Sequence, residues 1–254
     1  MSDIIRRFGF ICCMLSLLLA FDLQAEEASD PFEGFNRSVY EFNDVVDRNL
    51  LEPVARRYSD NMPPPFKKGI SNFLDNLLFP RRFVSSLVQF KIGQAFTFLG
   101  RFVVNTATGF GGLLEVADSV GLKAPDDEDF GLMLAYYDLP AGPYLVLPFL
   151  GPSNFRDAFG RAVDFFLSPT YWLDFAEWDM STTDRLVYGY NTINVISGRA
   201  SLLEAVEAGK EASLDFYSFS KSSYYQHRDG LLYDGFPPDD DFDSEFEDEF
   251  DDEN

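Results

Sequence analysis

Residues able to do chemistry are few in this chain of 254 residues. It has one histidine, His227, in the run YYQHRD. A single imidazole cannot build the histidine clusters that hold a transition metal. As the base of a catalytic triad it would need a serine, and no G-x-S-x-G turn supplies one. Beside Arg228 and Asp229 it reads as a surface or hydrogen-bonded side chain. Carboxylates abound, 42 Asp and Glu against 20 Lys and Arg, and in so acidic a chain they read first as solvated faces. Asp126–Asp129 (DDED) lacks the alternating spacing and the glycine of a calcium loop. The turn Gly109–Gly112 lacks the lysine of a phosphate-binding loop and the strand of a dinucleotide fingerprint, so it reads as a tight turn between helices. Both cysteines, Cys12 and Cys13, lie near the N-terminus, which leaves the body without a disulfide or thiolate site. These residues predict a protein that is not an enzyme and uses no metal or other cofactor.

The charge narrows the partners. The formal net charge is −22, and 11 Asp and Glu with no Lys or Arg fall in residues 237–254. So acidic a body predicts no nucleic-acid partner, because those need clustered Lys and Arg. It offers no polybasic patch for an anionic membrane surface, so any membrane contact must be apolar. The tail, 237–254, is expected to be disordered, with Phe242, Phe246 and Phe250 spaced by four in acid. Residues 1–25 read as an export signal: Arg6 and Arg7, the apolar core Phe8–Phe21, then Leu23-Gln24-Ala25 before Glu26. Cys12 and Cys13 sit inside that core, after Phe10 and Ile11, whereas a bacterial lipoprotein places its cysteine after the core, next to small residues.

Residues 26–236 read as a single, predominantly helical domain. Val39, Phe42, Val46 and Leu50 mark a first helix over 34–60, with Pro53 ending or kinking it. Phe66, Ile70, Phe73, Leu74 and Leu77 mark a second, stopped by Pro80. Ile92, Ala95, Phe96, Leu99, Phe102 and Val103 make one stripe of a third, with Arg101 opposite and Phe98 off the stripe, where a soluble protein would place a polar residue. Phe155, Phe159, Ala162 and Phe166 mark another helix, and 181–196 and 201–216 two more. The run Tyr144–Leu150, fenced by Gly142-Pro143 and Gly151-Pro152 and interrupted by Pro148, cannot be one helix. It is also too short to cross a bilayer, which takes about 20 apolar residues. It reads as an extended apolar segment feeding a helix from Ser153. There are 28 phenylalanines, and several helices carry apolar residues on more than one face. A second apolar face needs a second apolar neighbour, either protein or lipid.

Seven stretches in order give the chain a resemblance to the MlaA/VacJ family of Gram-negative outer-membrane proteins: SDPFEGFNR (29–37), PVARRY (53–58), GISNFLDNLLFP (69–80), RFVVNTATGFGGLLEVA (101–117), EDFG (128–131), GPYLVLPFLGPSNFRD (142–157) and YYQHRDGLLYDG (224–235). The resemblance implies an all-α fold, a ring-like arrangement of amphipathic helices embedded in one membrane leaflet, with an apolar rim and a polar-lined channel. It implies phospholipid transport that maintains outer-membrane lipid asymmetry, with phospholipid, the outer membrane, a trimeric porin and a periplasmic lipid-carrier protein as partners. The alternative is a structural porin-associated protein without transport activity. The family's channel hairpin maps onto Glu41, Phe42, Asn43 and Asp44. Within such a ring, Tyr144, Leu145, Leu147, Phe149 and Leu150 are expected to contact the membrane, with Leu145, Leu147 and Phe149 against lipid or a neighbouring ring helix. Family members carry a lipid on an N-terminal cysteine, for which this sequence lacks the placement.

Overall fold

The computed structural model of the protein describes residues 30–173 and 180–235. The expected export signal and acidic tail lie outside these residues, as does part of the Trp- and Tyr-rich run 170–179. Helix α1, Glu33–Val46, passes through a π-helical turn at Asp47–Leu51 into α2, Glu52–Asn61. Pro53, expected to end or kink the first helix, sits in the first turn of α2, where no intrahelical N–H is needed. Helix α3, Pro64–Leu77, is followed by α4, Phe79–Val88, and Pro80 opens α4 in the same way as it closes α3. Helix α5, Ile92–Thr108, ends in the expected glycine turn. There Gly112 (φ 100°) passes so close to Asn76 that an added Cβ would come within 2.7 Å of it.

Helix α6, Phe130–Tyr136, starts at Asp129, whose carboxylate accepts the Leu132 N–H at 2.8 Å. The apolar run 144–150, expected to be extended, opens a two-stranded hairpin. Strand β1, Tyr144–Leu147, pairs antiparallel with β2, Gly151–Asn154, from Tyr144↔Asn154 to Leu147↔Gly151. Pro148 falls in the turn, where its missing N–H breaks no ladder bond, and Phe149 (φ 63°) and Gly151 (φ 75°) reverse the chain. Because Ser153 and Asn154 still pair, α7 begins at Phe155 instead of Ser153; it runs Phe155–Leu167 and is capped by Asn154, which accepts the Asp157 N–H at 2.7 Å. Then follow α8 (Pro169–Leu173), α9 (Met180–Ser201), α10 (Leu203–Ala212) and α11 (Phe216–Leu232).

The helices pack in a closed circuit. α3 meets α4, α4 meets α5 and α6, α6 meets α7, α7 meets α8, α8 meets α9, and α9 returns to α2 and α3. The small apolar core, Tyr144, Val146 and Tyr217 with Tyr40, Tyr224 and Tyr225 around it, lies where the hairpin meets α1 and α11.

The burial pattern turns several helices inside out. On α5 half of the expected apolar stripe points outward: Ile92, Phe96 and Val103 are exposed, while Ala95 is buried and Leu99 and Phe102 are half-buried. Phe98, Arg101 and Asn105 are buried instead. The guanidinium of Arg101 donates to Asp118 and Glu115 and to the Leu122 carbonyl, and Asn105 accepts the Ala117 N–H, so the buried polar groups on this face are paired. The same inversion recurs on α1, with Asn36 buried and Phe35 exposed, on α3, with Asn76 buried and Phe66 exposed, and on α4, with Ser85 and Ser86 buried. An amphipathic helix in water shows the opposite arrangement. Among the described residues no helix is long and apolar enough to cross a membrane.

Candidate functional site

Two asparagines seven residues apart on α1 hold the free edge of β1. Asn36 Nδ2 donates to the Tyr144 carbonyl, and Asn36 Oδ1 accepts the Val146 N–H, both at 2.9 Å. Three residues on, where β1 enters the turn, Asn43 Nδ2 donates to the Leu147 carbonyl at 2.9 Å and Oδ1 accepts the Phe149 N–H at 2.8 Å. Toward the hairpin each amide gives one donor and one acceptor, so the side chain replaces the missing strand neighbour; Asn36 Nδ2 also donates to Asp30 at 2.9 Å.

Glu41–Asp44, expected as a hairpin, is continuous helix within α1, because Asn43 uses its side chain and not its backbone to reach β1. Glu41 is exposed, and Asp44 pairs with Arg48 at 2.8 Å and Lys210 at 3.1 Å. Of the residues expected to contact the membrane, Tyr144 has no exposed surface and is core, which corrects that expectation; its ring packs on Tyr217, Tyr224 and Tyr225. Leu145 and Leu147 are half-buried. Phe149 and Leu150 stand out at the turn, 69% and 64% exposed, with the Phe42 ring edge-on to Phe149 at 5.3 Å. The structure thus brings the two predicted groups together. Asn43, Asp44, Phe149 and Leu150 share the wall of one cavity of about 360 Å³, closed opposite by Arg199, Leu202 and Lys210.

A larger open cavity, about 610 Å³, lies between α2, α3 and α9. Tyr58 and Ser59, Lys67, Lys68 and Ser71, and Asn194, Ser197 and Ser201 line it. The opposite face of α9, with Asn191, Thr192, Val195 and Ile196, meets Leu50, Leu51 and Val54 along a groove of about 480 Å³ whose wall is almost wholly apolar. One helix therefore divides a polar space from a greasy one. Sequence reasoning missed this site. Its only trace there is the i, i+3, i+4, i+7 run of Asn194, Ser197, Gly198 and Ser201, all small or polar.

A charged hub fixes the ring elsewhere. Arg228 on α11 donates to both oxygens of Asp129, at 2.6 and 3.0 Å. Its Nε lies 2.8 Å from Asp157 Oδ2 as an ion pair, without the alignment of a hydrogen bond. The Tyr224 hydroxyl donates to Asp157, and Arg156 Nε donates to its other oxygen at 3.0 Å. Burial pushes the Asp129 carboxyl up, but the Arg228 guanidinium outweighs it and holds the group below the usual carboxylate range. α6 and α7 cross so closely here that a Cβ on Gly160 would sit 2.5 Å from the Gly131 nitrogen. Next to the hub, Asp127 takes Arg81 and Arg82 and is held down to about 2, their charges outweighing burial. Among the described residues the Asp164 carboxylate accepts the Phe130 N–H alone, at 3.2 Å, and burial pushes it up to about 7 against the pull of Arg81. His227 is exposed on α11, and no group of His, Cys, Asp and Glu among the described residues is arranged to hold a metal.

Comparison with known proteins adds a family. Residues 28–230 match the family model described as MlaA lipoprotein. The Escherichia coli (strain K12) protein named intermembrane phospholipid transport system lipoprotein MlaA is 35% identical over 210 residues, covering 82% of this chain and 80% of that one. The protein of the same name from Haemophilus influenzae is 31% identical over 214 residues, covering 84% and 82%. A solved structure described as "Structural basis for maintenance of bacterial outer membrane lipid asymmetry" superposes with a TM-score of 0.67 at 34% identity, over 80% of this chain and 99% of that one.

Proposed function

This chain belongs to the MlaA lipoprotein family, and we propose that it moves phospholipid in the cell envelope, as part of a system that maintains outer-membrane lipid asymmetry. The observation that carries the reading is the inverted burial of α1, α3, α4 and α5. Exposed Phe35, Phe66, Phe96 and Val103 make an apolar rim, while Asn36, Asn76, Ser85, Ser86 and Arg101 turn inward. A rim of this kind stabilises the ring in the hydrocarbon of one leaflet, because each exposed aromatic gains by leaving water. The polar interior gives a head group a route that avoids hydrocarbon. Loops at membrane depth face protein or water in such a ring, which satisfies their backbone.

The role is transport without catalysis. The location is the inner leaflet of the outer membrane, beside a trimeric porin, with a soluble periplasmic carrier receiving the lipid. The test is transfer of labelled phospholipid from liposomes containing the purified protein to such a carrier. Delivery that depends on the protein supports the reading. Lipid bound but never delivered would reduce the protein to a porin-associated brace.

A further inference from the structure

We propose that the 610 Å³ cavity is a station for a phosphate-bearing head group of net negative charge, with Lys67 and Lys68 as its cationic wall. This inference rests on the lipid-transport reading and names the lipid class the site prefers. Most cations of this acidic chain are already committed to carboxylates: Arg37, Arg81, Arg82, Lys91, Arg199 and Arg228 all make such pairs. Lys67 and Lys68 make none among the described residues, and both face the same open space. Lys67 Nζ donates to the Ser59 carbonyl at 3.0 Å, which steadies it without neutralising it. The one carboxylate on the wall, Asp75, is engaged by Arg82 at 3.4 Å.

A third feature points to an acceptor-rich ligand. The Tyr58 hydroxyl, on the same wall, is buried and has no hydrogen-bond partner among the described residues. A phosphate oxygen beside it would accept that proton while the two ammonium groups balance its charge. A zwitterionic head group brings its own ammonium, which the lysines repel. A head group carrying hydroxyls and one negative charge meets Ser71, Ser197 and Ser201 with compatible donors and acceptors.

The full-length protein is incubated with vesicles of matched acyl composition holding either phosphatidylglycerol or phosphatidylethanolamine, and lipid retained on the purified protein is counted by mass spectrometry. The parent is expected to retain the anionic lipid about tenfold more than the zwitterionic one, the size of effect two partly screened charges give. Lys67→Gln with Lys68→Gln is expected to abolish that preference while zwitterionic retention stays as in the parent. The pair Lys67→Arg, Lys68→Arg keeps the preference and guards against a folding defect. Equal retention of both lipids by the parent, or an unchanged preference in the Gln pair, overturns the proposal and leaves lipid transport standing. Binding of inorganic phosphate by the parent that the Gln pair loses, with the lipid preference of that pair unchanged, also overturns it, assigning the lysines to a free anion. Retention of neither lipid counts against transport itself and against this station with it.

Discussion

Replacing Asn36 by leucine should cost the fold more than any other change of similar size on α1. The residue has no exposed surface and makes two bonds to the β1 edge and one to Asp30, each at 2.9 Å. Leucine keeps most of the volume and leaves the Tyr144 carbonyl and the Val146 N–H without partners, in residues 0% and 1% exposed, where water does not reach. Each buried orphan costs about 1–3 kcal/mol, so the pair predicts a loss of about 2–6 kcal/mol. For a chain of this size that lowers the melting temperature by about 4–24 °C. The same substitution at Asn43 is the internal control. Its bonds to Leu147 and Phe149 have similar lengths, but Phe149 is 69% exposed, so water takes over and the cost stays under about 1 kcal/mol. Helical circular dichroism in detergent micelles, against temperature and urea, reads both variants. Equal losses at the two positions, or a loss below about 1 kcal/mol at Asn36, would refute the idea that burial decides what these clips are worth.

Three further outcomes follow from the geometry. Arg228→Met strands the Asp129 and Asp157 carboxylates together and should destabilise by about 3–5 kcal/mol, measured by urea unfolding; a loss no larger than that of Arg57→Met, an exposed residue on α2, would contradict the hub. Asp164 titrates near 7 in the fold against 3.8 when free, so the folded state holds a proton that the unfolded chain gives up. Its support for the fold is complete below the lower value and is lost as pH rises through the upper one; Asp164→Asn should therefore gain about 2 kcal/mol at pH 8, half the roughly 4 kcal/mol such a displacement represents because the group is part-exposed, and show no gain at pH 4. Phe96→Ser with Val103→Ser removes apolar surface from the outer face of α5 and should weaken partition into liposomes by about 2–4 kcal/mol while melting in detergent barely changes; unaltered partition would remove that face from the rim.

Helix existence was legible because its spacing of three and four survives whichever way the helix faces. Which way was not legible. The stripe on α5 has the same period whether it meets a core or hydrocarbon, and only Phe98 off the stripe and Arg101 opposite it hinted at the inversion that the structure shows. The hairpin escaped because its second strand, Gly-Pro-Ser-Asn, has none of the apolar alternation that marks strands; it is held by β1 on one side and by α7 and α11 nearby. Of the candidate site, Asn43, Asp44, Phe149 and Leu150 were named from resemblance, and the shared cavity wall was not readable, since it depends on contacts about a hundred residues apart. Lys67 and Lys68 looked like any exposed lysines. What distinguishes them is that they share one cavity wall while no carboxylate among the described residues pairs with either, a property of three dimensions.

The seam between the two ends of the described chain has a kinetic side. Arg37 Nη2 reaches Asp215 at 2.7 Å and the Tyr217 hydroxyl donates to Asp30, contacts separated by 178 and 187 residues. Helical proteins assemble fastest when partners are close in sequence, and loops this long must close before these bonds form. A chain synthesised from its N-terminus has its first helix waiting through almost the whole of synthesis for the last. Until α11 arrives, Asp30 and Arg37 lack these partners and the tyrosine cluster around Tyr144 lacks one wall. The timing of ring closure, and the interval in which that edge stays open, is set by the arrival of Asp215–Arg228.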